Sequence, residues 1–194
     1  AVLSIYGIPQ LFTYLFLHSP YSFSHILFNM LALWMFGNTL ESTWGTRRFL
    51  QFYFLCGVGA GLIATFAALF FGSLNTHVIG ASGAIYGILV AFAVLFPDAP
   101  ILFALLFPIK AKYFVLIIGG ITFLSTFGVN DDVSHVAHLG GLLIGYLVLK
   151  SGLLNIDLLS RARFLHQEWK LRRARKRFQV YMKKQDSRRD GPLH

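Results

Sequence analysis

The sequence predicts an all-α fold, a helical bundle that crosses a membrane five times, and three observations carry that expectation. First, 56% of the 194 residues are hydrophobic and only 13% are charged, with a mean hydropathy of +0.62, far too apolar for an ordinary soluble domain. Second, apolar runs of helical length alternate with short polar or Gly/Pro-bearing stretches. Third, all 17 basic residues fall in four places: Arg47 and Arg48, Lys110 and Lys112, Lys150, and a tail from Arg161 to Arg189. Cytoplasmic loops collect Lys and Arg, so these four places are expected on the cytoplasmic side and the intervening loops outside.

Residues 1–24, with Pro9, His18 and Pro20, are too interrupted to span and read as an outer loop lying on or in the interface. They hold no Lys or Arg to head a secretory signal, so insertion is expected to be directed by the spans themselves. The first span is expected over residues 23–40. His25 and Asn29 lie four apart near its outer end and share one helix face; polar residues inside a span are costly and turn toward the bundle interior. Residues 41–48 are expected to form a short cytoplasmic turn around Gly45. A second span covers 49–71, with Gly57, Gly59 and Gly61 for close packing. Its lone cysteine, Cys56, can form no internal disulfide and reads as a small buried hydrophobe.

After an outer loop at 72–79, the third span, 82–96, is short: about 15 residues rise roughly 22 Å against a hydrocarbon core of about 30 Å. If it reaches the cytoplasmic surface at Pro97, its start lies below the outer surface. Non-helical backbone there is tolerated only beside protein or trapped water, so Ser82 is expected at the floor of a water-filled cavity open to the outside. Residues 98–112 form a cytoplasmic loop whose apolar part, 101–109, is expected along the membrane surface. The fourth span is 113–127, residues 128–134 return the chain at the outer face, and the fifth span, 136–149, carries His138, Gly141 and Gly145. The two domains expected are a transmembrane core, 1–152, and a basic, helical cytoplasmic tail, 153–194. The tail suits an anionic lipid surface; no recognition motif accompanies its charge, and no nucleic-acid partner is expected.

The run Gly80-Ala81-Ser82-Gly83-Ala84-Ile85-Tyr86-Gly87 organises the chemistry. Gly83 and Gly87 alone would suit helix packing. Acyl transfer, however, needs a nucleophile, a base, and donors aimed at a developing oxyanion, and the chain offers each. Ser82 supplies the hydroxyl, His138 an imidazole suited to neutral pH, and Asn29 and His25 side-chain donors. No Asp or Glu stands at the outer end of a span; Asp131 and Asp132 read as a solvated turn, so the economical reading is a Ser-His dyad.

Three runs, His25-Ile26-Leu27-Phe28-Asn29, Gly80-Ala81-Ser82-Gly83 with Tyr86, and Ala137-His138-Leu139-Gly140-Gly141 with Gly145, together resemble the rhomboid family of intramembrane serine proteases. The resemblance covers residues 10–150. It implies cleavage of transmembrane or membrane-adjacent segments of other membrane proteins near the outer face, without cofactor or metal, in a multi-pass protein of a bacterial inner membrane. It also implies that Ser82 is the nucleophile and His138 the base. His25, Asn29 and the Ser82 backbone N–H would form the oxyanion site, Tyr86 would pack on the His138 ring, and Gly80, Gly83 and Gly141 would support the site. The family core has six spans, so the expectation of five leaves its first absent from this sequence. The family's Trp-Arg pair would align with Pro9 and Gln10, which bears on how the outer loop is anchored. His18 stands about two residues too far from His25 to be assigned, and His77 and His135 read as loop histidines. The competing class is a non-catalytic relative that binds and escorts transmembrane helices; such relatives lack the serine or the histidine, and both are present here.

Overall fold

The computed structural model describes residues 7–18, 23–71, 78–103, 107–127 and 133–154, together with Gln179. The chain divides into two units, Ala1–Ile156 and Asp157–His194. The expected helical tail, the outer-loop residues 72–77 with His77, and Asp131 and Asp132 lie outside the described residues.

The N-terminal stretch expected as an outer loop contains a short helix, α1 (Gly7–Thr13), followed by a 3-10 turn, Tyr14–Phe16. Pro9 is compatible with this because a first-turn residue has no intrahelical N–H to give up. The apolar residues that made the stretch look interfacial are partly accounted for by protein. Tyr14 and Leu15 are buried, and the Phe12 ring lies 5.0 Å from that of Phe54 on the next long helix.

The first predicted span is α2 (Phe23–Ala32), which passes through one wide turn of π-helix, Leu33–Gly37, into α3 (Asn38–Trp44). The helix thus runs four residues past the expected end, and the turn expected over 41–48 shrinks to Gly45. Only there does the backbone enter the left-handed region, at φ 84°, which a residue without Cβ adopts readily. The polar residues on either side stay helical: the Thr46 hydroxyl donates to Glu41 Oε1 at 2.7 Å across the break. Polar composition at 41–48 therefore did not mark a loop: the polar residues are helical up to Trp44 and again from Thr46.

Helix α4 (Thr46–Phe71) follows, and its segment Thr46–Phe70 is the one helix among the described residues long and apolar enough to cross a membrane by length and composition alone. Helices α5 (Ser82–Leu95) and α6 (Ala111–Ser125) are apolar but shorter, at 14 and 15 residues; α7 is Val133–Ser151. Because α7 starts earlier than the composition suggested, His135 lies on a helix and not in a loop.

The expectation of an all-α chain needs one correction. Between α5 and α6 the backbone makes an antiparallel hairpin, β1 (Pro100–Phe103) against β2 (Phe107–Lys110), with Leu102 opposite Pro108. Pro100 and Pro108 explain it, since neither can donate to a helix and each restrains the residue before it to extended backbone. Beside the hairpin, Asp98 Oδ1 accepts from Lys110 Nζ and Lys112 Nζ, each at 3.2 Å, and these hydrogen bonds hold its carboxyl below the usual carboxylate range.

The bundle centre is α4, α5 and α7, and nine of the 14 residues of α5 are buried, between Gly83 and Leu95. Backbones approach closely where α7 crosses α5: a Cβ at Gly141 would overlap the Gly83 carbonyl, and one at Gly145 would stand 2.7 Å from Gly87 Cα. Side chains are therefore excluded at the crossing, the use of small residues that the spacing suggested. Outward, α2 exposes Phe23 and Phe28, the π-helical turn exposes Trp34, and α6 exposes Leu116, Ile121 and Leu124. Apolar surface of this extent is costly in water and suits a lipid surround.

Candidate active site

Ser82 is the first residue of α5, and its neighbourhood is set by Gly80, whose φ of 105° is closed to most side chains. The Gly80 N–H donates to the Tyr14 carbonyl at 2.9 Å. Tyr14 in turn sends its hydroxyl to the Gly57 carbonyl on α4 at 2.6 Å. One residue of the N-terminal stretch therefore ties the turn before the serine to α4.

His138 stands on α7, one turn before Gly141, and the tight crossing at Gly83 and Gly141 brings the two helices together beside the reactive groups. His138 Nε2 lies 2.7 Å from Ser82 Oγ. With the proton of the neutral imidazole on Nδ1, the Ser82 hydroxyl donates to Nε2, the arrangement that general-base activation requires. The Tyr86 ring lies flat on the His138 ring, with centroids 4.4 Å apart and planes 3° from parallel. Tyr86 is fixed at its other end by Thr122 on α6, Oη to Oγ1 at 3.0 Å. Because the Thr122 hydroxyl donates to the Ile118 carbonyl at 2.8 Å, the Tyr86 hydroxyl is the donor of the pair. Sequence reasoning did not find Thr122; a lone threonine in an apolar helix carries no spacing signal.

The face shared by His25 and Asn29 turns toward Gly80. A Cβ on Gly80 would come within 2.9 Å of His25 Cε1 and Nε2, and within 3.4 Å of Asn29 Nδ2, so glycine is needed for room as well as for φ. Asn29 is only 7% exposed, yet its Nδ2 has no hydrogen-bond partner. A buried amide donor without an acceptor costs about 1–3 kcal/mol, and such groups call for an explanation. His18, left unassigned by the sequence, lies beside this face with its ring 5.4 Å from that of His25 and its own Nε2 buried and without a partner. His135 stands edge-on to His138 at 6.2 Å.

The two described acidic residues, Glu41 and Asp98, are remote in the chain from the pair; Asp98 follows the end of α5 opposite Ser82, about 21 Å along the helix. The neighbourhood of Ser82 thus joins one hydroxyl, one imidazole that can take its proton, and amide and imidazole donors close to the same backbone turn.

Fold and site together describe a helical bundle with an apolar exterior and a half-buried serine and histidine pair. The chain belongs to the rhomboid family, an integral membrane family: the Rhomboid domain matches residues 7–153. Among similar proteins are Rhomboid protein 1, mitochondrial, of Saccharomyces cerevisiae, 32% identical over 135 residues (66% of this chain, 38% of the relative). Rhomboid protease GluP of Bacillus subtilis is 35% identical over 123 residues (63% and 22%), and rhomboid protease AarA of Providencia stuartii 30% identical over 139 residues (64% and 50%). The chain spans half or less of the length of these three relatives. No solved structure matches it.

Proposed function

We propose that this chain is an intramembrane serine endopeptidase that hydrolyses peptide bonds in transmembrane or membrane-adjacent segments of other membrane proteins. The observation that carries the reading is the 2.7 Å approach of Ser82 Oγ to His138 Nε2 beside the unpaired donor of Asn29. In the first half-reaction Ser82 Oγ attacks the scissile carbonyl carbon while His138 Nε2 takes the hydroxyl proton. The carbonyl oxygen becomes an oxyanion held by Asn29 Nδ2, His25 and the Ser82 backbone N–H. Collapse breaks the C–N bond, His138 returns the proton to the leaving amine, and an acyl-serine remains. In the second half a water takes the amine's place: its oxygen bonds the acyl carbon as His138 takes its proton, the ester C–Oγ bond then breaks to release the carboxylic acid, and Ser82 recovers a proton from His138. Tyr86 holds the imidazole plane throughout. No cofactor or metal enters this scheme.

The bundle crosses the membrane five times, with the site opening toward the outer face and the basic tail on the cytoplasmic side against anionic lipid, in a bacterial inner membrane. The clustering of Lys and Arg supports this orientation. A cysteine introduced at Asp131 should then react with an impermeant reagent in intact cells, and one at Lys110 only after permeabilisation; the reverse pattern overturns the orientation. The catalytic reading is tested by cleavage of a single-span reporter protein by wild type, Ser82→Ala and His138→Ala at equal expression. Hydrolysis surviving in either variant at near wild-type rate overturns the dyad, and a wild type that binds the reporter without cutting it points to an escort.

A further inference from the structure

The hairpin β1–β2 has a surface that neither water nor the bundle suits. Residues 101–109 contain no polar side chain. Ile101 is buried and secures the base, but Leu102 is 55% and Phe107 65% exposed. Leu102 pairs with Pro108 and Phe107 with Phe103, one position apart in the ladder. Side chains alternate between faces along a strand, so Leu102 and Phe107 project from opposite faces and the hairpin is apolar on both. Its backbone has a different need. A two-stranded sheet leaves the outward N–H and C=O groups of both strands without strand partners, and such groups are not tolerated in hydrocarbon. The boundary between headgroups and acyl chains alone satisfies both demands, offering apolar depth to the side chains and water or headgroup oxygens to the edges. The base adds charge of the matching sign: Lys110 and Lys112 against Asp98 leave one net positive charge there, which favours an anionic leaflet.

We propose that the β1–β2 hairpin is an interfacial membrane anchor, seated in the headgroup boundary of the leaflet opposite Ser82, with a phospholipid surface as its partner. The proposal rests on the membrane-embedded reading of the bundle given above. It has a consequence for α5, whose 14 residues rise about 21 Å. Hung from the hairpin's boundary, α5 ends short of the far side of a hydrocarbon core about 30 Å thick, which holds Ser82 below the opposite surface.

The test uses the full chain in phosphatidylcholine and phosphatidylglycerol vesicles, with an environment-sensitive dye on a cysteine at Leu102 or, separately, Phe107, both exposed and so tolerant of substitution. A dye at Leu116, exposed on α6, reports on the bundle itself. Quenching is compared for lipids carrying a nitroxide near the headgroup, lipids carrying it near the chain end, and aqueous iodide. The expected result at 102 and 107 is strong quenching by the headgroup-proximal lipid and weak quenching by the other two. Iodide quenching there as strong as for free dye, while Leu116 is quenched by lipid, overturns the anchor and leaves the embedded bundle standing. Protection from all three quenchers also overturns it, pointing to a second copy of the chain over the hairpin. If Leu116 too escapes lipid quenching, the membrane-embedded reading fails and the anchor fails with it.

Discussion

The two ends of α5 treat polar groups in opposite ways. At the Ser82 end, polar atoms are buried and some are left without partners: Asn29 Nδ2 and His18 Nε2 have no acceptor or donor. At the Asp98 end the charges are exposed and over-provided, one carboxylate oxygen serving two lysines. Stability alone would favour the reverse, since an unsatisfied buried donor is costly and an exposed ion pair contributes little. An unsatisfied buried donor calls for an explanation, and the oxyanion role proposed for Asn29 supplies one, while the exposed pair only holds a chain turn in place. Polar content does not distinguish the ends; the charged groups at one are paired and the buried donors at the other are not, although Trp44 Nε1, at the end of α3, is also buried without a partner.

That contrast can be broken at several points. The largest effect is expected from Ser82→Ala, which should lower turnover by about 10⁴-fold or more while leaving the melting temperature nearly unchanged, because a group that acts as a unit with its base cannot be removed by halves. Next, Gly141→Val places a side chain where the Gly83 carbonyl stands; a loss of about 3 kcal/mol is expected from overpacking of this kind, read by thermal melting in detergent. Asn29→Ala should follow, lowering turnover by roughly 10²-fold with little change in KM, since an oxyanion donor acts in the transition state. Its melting temperature should hold or rise, because an unsatisfied donor is removed; a destabilised variant whose folded fraction turns over normally would make Asn29 a structural residue instead. Tyr86→Phe keeps the stack on His138 and loses only the donor to Thr122, a change of about 1 kcal/mol expected in the melting curve more than in turnover.

The smallest effect belongs to Asp98. Its carboxyl titrates below the usual range because Lys110 and Lys112 hydrogen-bond it, so whatever it adds to stability is present above the ordinary carboxylate pKa. It is lost as pH falls through the lowered folded value. Exposure makes that contribution slight. Asp98→Asn should leave the melting temperature at neutral pH within error and flatten any acid-range slope; a marked loss at neutral pH would mean that the hairpin base matters more than the exposed pair suggests.

The membrane class followed from composition, because a chain this apolar has no other stable solvent, and the end of α4 and the bounds of α5, to within a residue, followed from where the apolar runs stop, whereas α4 begins three residues before the expected 49. Ser82, His138, His25 and Asn29 could be read as candidates from residue type and spacing, since a helix places residues four apart on one face whatever the fold around it. The sequence could not show that Gly45 alone breaks a helix across 41–48, that two prolines turn 101–109 into a hairpin, or that α7 begins before His135. Each depends on how backbone groups find partners in a particular place. The separation of 56 positions between Ser82 and His138 is the clearest case. Local pattern named both, but only the crossing of two glycine faces, which lets α5 and α7 approach to backbone contact, sets a hydroxyl 2.7 Å from an imidazole. That distance is a property of packing, and packing is decided by all the helices at once.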